Sequence, residues 1–262
     1  MTMEDAPQAA IESQLACIEC ENDVRILLAV ESGSRSWGFE SPDSDYDVRF
    51  IYAHRKEWYL SIREKRDVIE LPFDGQLDIC GWDLRKTLGL FQKSNPVLME
   101  WIVSPFVYLE SGSFAKRIRE LARKYYSRKA GAHHYLSMAE NNHKSYIENR
   151  DEVNLKKYLY VLRPLINILW LSEKKDLIPM VFCETLNAVT VPGTTRDAIY
   201  ALLDTKMAIS ELGTGKRIAI IDAFIEDTMV RAKAYCDIAP VSRIPIDVVD
   251  DLFQVILNEV WL

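Results

Sequence analysis

Apolar positions in the N-terminal third change period several times. Ile11, Leu15 and Ile18 recur at helical spacing, and Asp5 to Gln8 resembles a capping box with Pro7 in the first turn, which together predict an opening helix. Val24 to Val30 is a nearly continuous apolar run of strand length, interrupted only by Arg25, and it ends in Glu31-Ser32-Gly33-Ser34. Tyr46, Val48, Phe50 and Tyr52 then alternate with Asp45, Asp47, Arg49 and Ile51, the period of a strand. Asp67 to Leu71 and Gln76 to Trp82 flank Pro72-Phe73-Asp74-Gly75, whose Asp-Gly pair predicts a hairpin turn.

From Asp83 the period becomes helical. Asp83 is placed to cap a helix carrying Leu84, Leu88 and Phe91, and Ser94-Asn95-Pro96 restarts a helix through Leu98 and Trp101. Phe114, Ile118, Leu121 and Tyr125 mark another helix. Leu155, Tyr158, Leu162 and Ile166 mark a long one that Pro164 is expected to kink. The remainder reads as further helices punctuated by Pro and Gly. The pattern predicts an α+β chain with a soft boundary near Ser111-Gly112-Ser113. A small mixed sheet with flanking helices would occupy residues 1–111, and a helical domain residues 112–262.

Composition narrows the classes. The 262 residues are 48% hydrophobic and 27% charged, and they suffice for two cores. A formal net charge of −7 excludes a chain that coats itself with nucleic acid, so any RNA contact must be a local patch. The longest apolar stretch, Tyr158 to Leu171, is broken by Arg163 and Pro164, and the opening MTMEDAPQAA lacks the pattern of a signal peptide. These features predict a cytoplasmic protein with no membrane partner. Cys17 and Cys20 form a lone CxxC on a helical run with no second pair, which reads as two helix thiols rather than a zinc or redox site. His133, His134 and His143 have no partners at metal-ligand spacing.

Candidate chemistry concentrates in Glu31-Ser32-Gly33-Ser34-Arg35-Ser36-Trp37-Gly38 and Ser41-Pro42-Asp43-Ser44-Asp45-Tyr46-Asp47. Gly33 lets backbone approach a ligand closely. A short helix starting there would offer free N–H groups to phosphate, with the Ser34 hydroxyl and the Arg35 charge beside them. Taken alone, Gly-Ser is also what an ordinary tight turn looks like. Asp45 and Asp47, two apart on a strand, project from one face and repel each other, which calls for a cation; oxygen-only ligands suit Mg²⁺. Taken alone, Asp-x-Asp also fits a solvated acidic loop. The two halves in order, separated by about ten residues, are far rarer than either. A third carboxylate is expected on a neighbouring strand. Asp78 fits because it faces the side of Cys80, whereas Asp83 is accounted for as a cap and Asp74 by its turn.

This combination resembles the signature of the DNA polymerase β superfamily of nucleotidyltransferases. The longer string through Val48-Arg49-Phe50-Ile51-Tyr52 is similar to its RlaP-like or YcgL-like subfamily, some members of which are associated with RNA repair. Tyr59-Leu60-Ser61-Ile62, Ser94-Asn95-Pro96 with Glu100-Trp101 and Ser104-Pro105, and Lys156-Lys157-Tyr158 with Leu162-Arg163-Pro164 extend the resemblance over roughly residues 24 to 170. It implies a nucleotidyltransferase-fold mixed sheet and a C-terminal helical domain closing over the nucleotide.

The activity implied is transfer of a nucleoside monophosphate from an NTP such as ATP to an acceptor hydroxyl, with release of pyrophosphate. Asp45, Asp47 and Asp78 would be the catalytic and metal-binding residues for Mg²⁺, with Mn²⁺ as the substitute. Gly33, Ser34 and Arg35 would grip the nucleotide phosphates. Arg49, Lys157 and Arg163 are further candidates for the nucleotide, each with a surface or ion-paired base as the alternative. The acceptor would be an RNA 3′ end, of a tRNA or a broken RNA. A protein or small-molecule acceptor, and a non-catalytic nucleotide sensor, are the rival readings. Lys116, Arg117, Arg119, Arg123, Lys124, Arg128 and Lys129 fall on the exposed side of a helix, either as a plain solvated face or as an RNA phosphate track.

Overall fold

The structure is a computed structural model. It describes residues 5–42, 44–73, 75–208 and 213–261, with the side chains of residues 5 and 6 outside the description. In chain order the elements begin with α1 (Asp5–Asn22), β1 (Val24–Ser32), α2 (Ser34–Trp37), β2 (Tyr46–His54), α3 (Lys56–Tyr59), β3 (Val68–Glu70) and β4 (Leu77–Asp83). They continue with α4 (Leu84–Gln92), α5 (Pro96–Ile102), β5 (Val107–Glu110), α6 (Phe114–Tyr125), α7 (Arg128–Tyr146), β6 (Glu152–Asn154) and α8 (Lys156–Glu173). The last are α9 (Phe182–Ala188), α10 (Gly193–Ala208), β7 (Thr214–Lys216), α11 (Ala219–Ile238) and α12 (Ile246–Val260).

The chain is α+β, as the periodicity predicts. Two compact units divide it. One comprises Met1–Ser36, Asp45–Tyr126 and Arg243–Leu262; the other comprises Trp37–Ser44 and Ser127–Ser242. The division differs from a single cut at residue 111, because α6 buries Phe114, Ala115 and Ile118 in the sheet unit and α12 returns to pack on α4.

In the sheet unit five strands run in the order β3-β4-β2-β1-β5. β1 pairs antiparallel with β2 and β5, β3 pairs antiparallel with β4, and β2 and β4 are parallel. The predicted β3–β4 hairpin forms; Asp74 of its turn lies outside the described residues, and Gly75 has φ +99°. One face is a closed core. Ile11, Leu15 and Ile18 of α1 cover Val24, Ile26 and Ala29 of β1, Val48, Phe50 and Tyr52 of β2, and Ile79 of β4. The other face carries Asp47, Arg49 and Ile51 of β2 beside Asp78, Cys80 and Trp82 of β4, and Trp82 stacks on Trp101 of α5 with centroids 3.9 Å apart.

The cap predicted at Asp83 is present, and a helix restarts at Ser94-Asn95-Pro96 as predicted. Asp83 accepts from the Arg85 N–H at 2.7 Å to open α4, and Asn95 accepts from Leu98 N–H at 3.1 Å to open α5. The other unit is helical, with a small β6–β7 pair. Its α8 continues past Pro164 and buries nearly every residue from Tyr158 to Leu169. Among the described residues no helix is long and apolar enough to cross a membrane.

Candidate active site

β1 ends at Ser32, and Gly33 turns the chain with φ +76°, a left-handed conformation that side chains resist. A Cβ at Gly33 would overlap the Asp47 carboxylate, so only glycine lets that carboxylate lie against the bend. The short α2 begins at Ser34, and Ser36 Oγ donates back to the Gly33 carbonyl at 3.0 Å. Arg35 turns toward the acidic strand. Its Nε donates to the Asp45 carbonyl at 3.2 Å and its guanidinium lies over the Tyr46 ring, 3.9 Å from the centroid.

The parallel register of β2 and β4 sets Asp47 directly beside Asp78. Two residues along the same face, Arg49 reaches back between them. Its Nη2 lies 2.7 Å from Asp78 Oδ2 and 3.1 Å from Asp47 Oδ1, and its Nη1 donates to the Asp78 carbonyl at 2.7 Å. Asp45 stands exposed just before β2. Burial pushes the Asp47 carboxyl above its ordinary value; Arg49 pulls it down, and the charges of Asp78 and Asp45 push it up again. All three aspartates therefore share one end of the sheet, with Asp47 at the centre.

Beneath Asp47, on the core side, lies a residue that the periodicity did not single out. Glu31 is 1% exposed. Its Oε1 accepts the Asp47 backbone N–H at 2.9 Å and its Oε2 accepts from Tyr108 Oη at 2.5 Å. The Glu31 carbonyl accepts from Ser104 Oγ at 2.7 Å. Burial pushes the Glu31 carboxyl up to about 7, although both hydrogen bonds oppose the shift. Glu31 thus fixes the backbone that presents the Asp47 carboxylate to the opposite face.

The side chains of Asp45, Asp47 and Asp78 offer oxygen donors only, the kind of donor that a hard divalent cation takes. Among the described residues no three His, Cys, Asp or Glu side chains are grouped to hold a metal ion, and a guanidinium rather than open space lies between Asp47 and Asp78.

Other candidates belong to the helical unit and are described within it. Arg163 is 6% exposed, with its guanidinium 4.1 Å from the Trp37 ring centroid. Lys157 lies over Tyr146 and Tyr160, at 4.4 and 4.7 Å. A cation absent from the sequence candidates, Lys206, is 2% exposed and donates to Ser41 Oγ at 3.1 Å. Along the basic run, Lys116, Arg117, Arg123 and Lys124 are exposed, whereas Arg119 is tied to the Ile102 carbonyl and to Glu110. Cys17 and Cys20 are exposed free thiols on α1.

The model of the RlaP family, described as the RNA repair pathway DNA polymerase beta family, matches residues 8–255. A protein of Bacillus subtilis (strain 168), named "Uncharacterized protein YcgL", is 42% identical over 255 residues, covering 96% of each chain. A solved nucleotidyltransferase-like protein from Exiguobacterium sibiricum 255-15 aligns with 95% of this chain and 80% of its own, at 12% identity and a TM-score of 0.29. With a family match over nearly its whole length and a 42% identical relative covered to 96%, the chain belongs to the RNA repair pathway DNA polymerase beta family, a group of DNA polymerase β-like nucleotidyltransferases.

Proposed function

We propose that the chain is a metal-dependent nucleotidyltransferase that moves a nucleoside monophosphate from an NTP onto the 3′-hydroxyl of an RNA. The observation that supports this most is the side-by-side placement of Asp47 and Asp78 across the parallel β2–β4 register, next to the left-handed bend at Gly33. The description of the family as an RNA repair group supports RNA as the acceptor.

In this reading Asp45 and Asp47 hold Mg²⁺, for which Mn²⁺ substitutes, and the ion supplies charge neutralisation for the triphosphate. The α2 start at Gly33-Ser34 faces the terminal phosphates, and Arg35 adds a positive charge beside Asp45. The acceptor oxygen attacks the α-phosphorus in line, and its proton passes to Asp78. The bond from the α-phosphorus to the bridging oxygen breaks, and pyrophosphate leaves with that oxygen. Catalysis is then positioning and electrostatics with no covalent intermediate on the protein. The proposed setting of the reaction is the cytoplasm.

The test uses purified protein, each NTP labelled at the α-phosphate, Mg²⁺, and an RNA oligonucleotide with either a free or a 3′-deoxy end. Label is expected on the free-ended RNA alone, with pyrophosphate released in equal amount. Asp45→Asn and Asp47→Asn should each lower turnover by at least about a hundredfold, as loss of one key electrostatic group does elsewhere. Label on a protein or a small molecule from cell extract would replace the acceptor. Absence of pyrophosphate with all four NTPs and every acceptor would overturn the reading.

A further inference from the structure

The guanidinium of Arg49 lies between the carboxylates of Asp47 and Asp78. Its Nη2 bridges Asp47 Oδ1 at 3.1 Å and Asp78 Oδ2 at 2.7 Å, while its Nη1 donates to the Asp78 carbonyl at 2.7 Å and the Val48 carbonyl at 3.1 Å. Four acceptors are thereby tied to one side chain, which is itself 18% exposed. The contacts follow from the fold. The register aligns Asp47 with Asp78 and Arg49 with Cys80, and strand alternation puts all four on one face, so the arginine lies one pleat repeat along from the carboxylates it neutralises. An arginine keeps its charge at any working pH and offers planar donors that a hydrated point charge does not. Two adjacent carboxylates without it would repel, and would present the oxygen set that a hard divalent cation takes.

We propose that Arg49 is the resident cation of this site: it stands in place of a second divalent ion, so that the chain uses one ion, held by Asp45 and Asp47, while Arg49 holds Asp78 in position. Arg49 is a positioning residue in this scheme and Asp78 is not a metal ligand. The purpose assigned to the arrangement rests on the nucleotidyl-transfer reading; the ion count does not.

The experiment counts Mn²⁺ bound per folded chain by electron paramagnetic resonance, with and without a non-hydrolysable NTP analogue. Arg49→Gln is expected to carry one more ion than the wild type in either condition. Arg49→Gln/Asp78→Asn should return to the wild-type count, and Arg49→Lys, which keeps the charge, should match the wild type. Asp78→Asn alone, at a partly exposed position, should leave the count unchanged; this keeps the test decisive if Arg49→Gln fails to fold. Equal counts for the wild type and Arg49→Gln, or loss of an ion in Asp78→Asn, overturn the inference. A wild type that binds two ions at Asp45, Asp47 and Asp78 and releases pyrophosphate removes this inference alone. A chain that shows the expected ion difference yet transfers no nucleotide removes only the transfer reading.

Discussion

Replacing Glu31 by glutamine removes a carboxyl group that the fold holds almost entirely away from water. The carboxyl has an ordinary value of 4.5 and is pushed up to about 7 in the native chain, chiefly by burial. As pH rises, the unfolded chain releases this proton first, near 4.5, while the native chain keeps it until about 7. Between those values the native state binds more protons than the unfolded state, so stability falls with pH. The contribution is intact below the unfolded value and fully lost above about pH 7. At about 1.4 kcal/mol per tenfold in proton affinity, the loss amounts to about 3 kcal/mol.

Glutamine keeps the geometry. Its Oε1 accepts the Asp47 N–H, its amide N–H donates to Tyr108 Oη where the carboxylate accepted, and it has no charge to desolvate. The assay is urea denaturation of the metal-free wild type and Glu31→Gln across about pH 4 to about pH 8. The stability difference should be near zero at the acid end and should grow by about 3 kcal/mol in favour of the variant toward pH 8. Taking the difference cancels groups that titrate equally in both proteins. A difference that is flat with pH would refute the claim that Glu31 is buried with its carboxyl pushed up. A difference that grows in favour of the wild type would mean that a cation faces it.

Further outcomes test the frame around the site. Gly33→Ala forces a side chain into a left-handed bend and against the Asp47 carboxylate, so it should cost about 1–2 kcal/mol from the backbone alone and lower turnover sharply, measured by thermal melting and pyrophosphate release. Gly81→Ala places a Cβ within the Phe50 ring and should destabilise by about 1–3 kcal/mol, whereas Gly89→Ala in α4, with open space around it, should stabilise by roughly 0.5–1 kcal/mol. Asp83→Ala removes the α4 cap and the acceptor of the Tyr59 hydroxyl, at 2.7 Å, and should cost about 2–4 kcal/mol by chemical denaturation.

Much of this was legible in the sequence because local signals and the fold agree. Asp83 reads as a cap and is one, Ser94-Asn95-Pro96 reads as a helix restart and α5 opens there, and the flanks of Asp74-Gly75 pair as a hairpin. The facing of Asp78 with Cys80, opposite Ile79, followed from alternation alone. Glu31 escaped for an identifiable reason. Plain alternation from Val24 and Ile26 puts Leu28 and Val30 on the α1 side and Glu31 on the other. The β1–β2 register instead shifts between Ile26 and Leu28, so Ala29 and Glu31 face the core and Glu31 aligns with Val48. A bulge leaves no mark in an unbroken apolar run such as Ile26 to Val30. β5, β6 and β7 escaped because strands of three or four residues carry too few positions to show a period, and no Asp-Gly turn marks them as Asp74-Gly75 marks β3. Arg49 reads in the sequence as a candidate for the nucleotide or as an ion-paired base; its place between two carboxylates depends on a partner strand nearly thirty residues away.

The placement of Asp78 depends on a register that polar residues alone would not fix. A slip of one residue between β2 and β4 would turn Asp78 into the core and Ile79 out to the site. Two packing features oppose that slip. Ile79 is 2% exposed in the cluster beneath α1, and Gly81 sits where any Cβ would collide with Phe50. Only one alignment therefore satisfies the core, and it brings Asp78 beside Asp47 and within reach of Arg49. The direction of β4 matters equally. Because β3 lies on the outer edge and the hairpin returns β4 alongside β2, the two strands run parallel and their N-terminal ends coincide. An antiparallel β4 beside β2 would have carried Asp78 to the other end of the sheet, near His54. The charged face is thus set by apolar contacts on the opposite face: Phe50, Ile79 and the missing side chain of Gly81 determine which carboxylates meet.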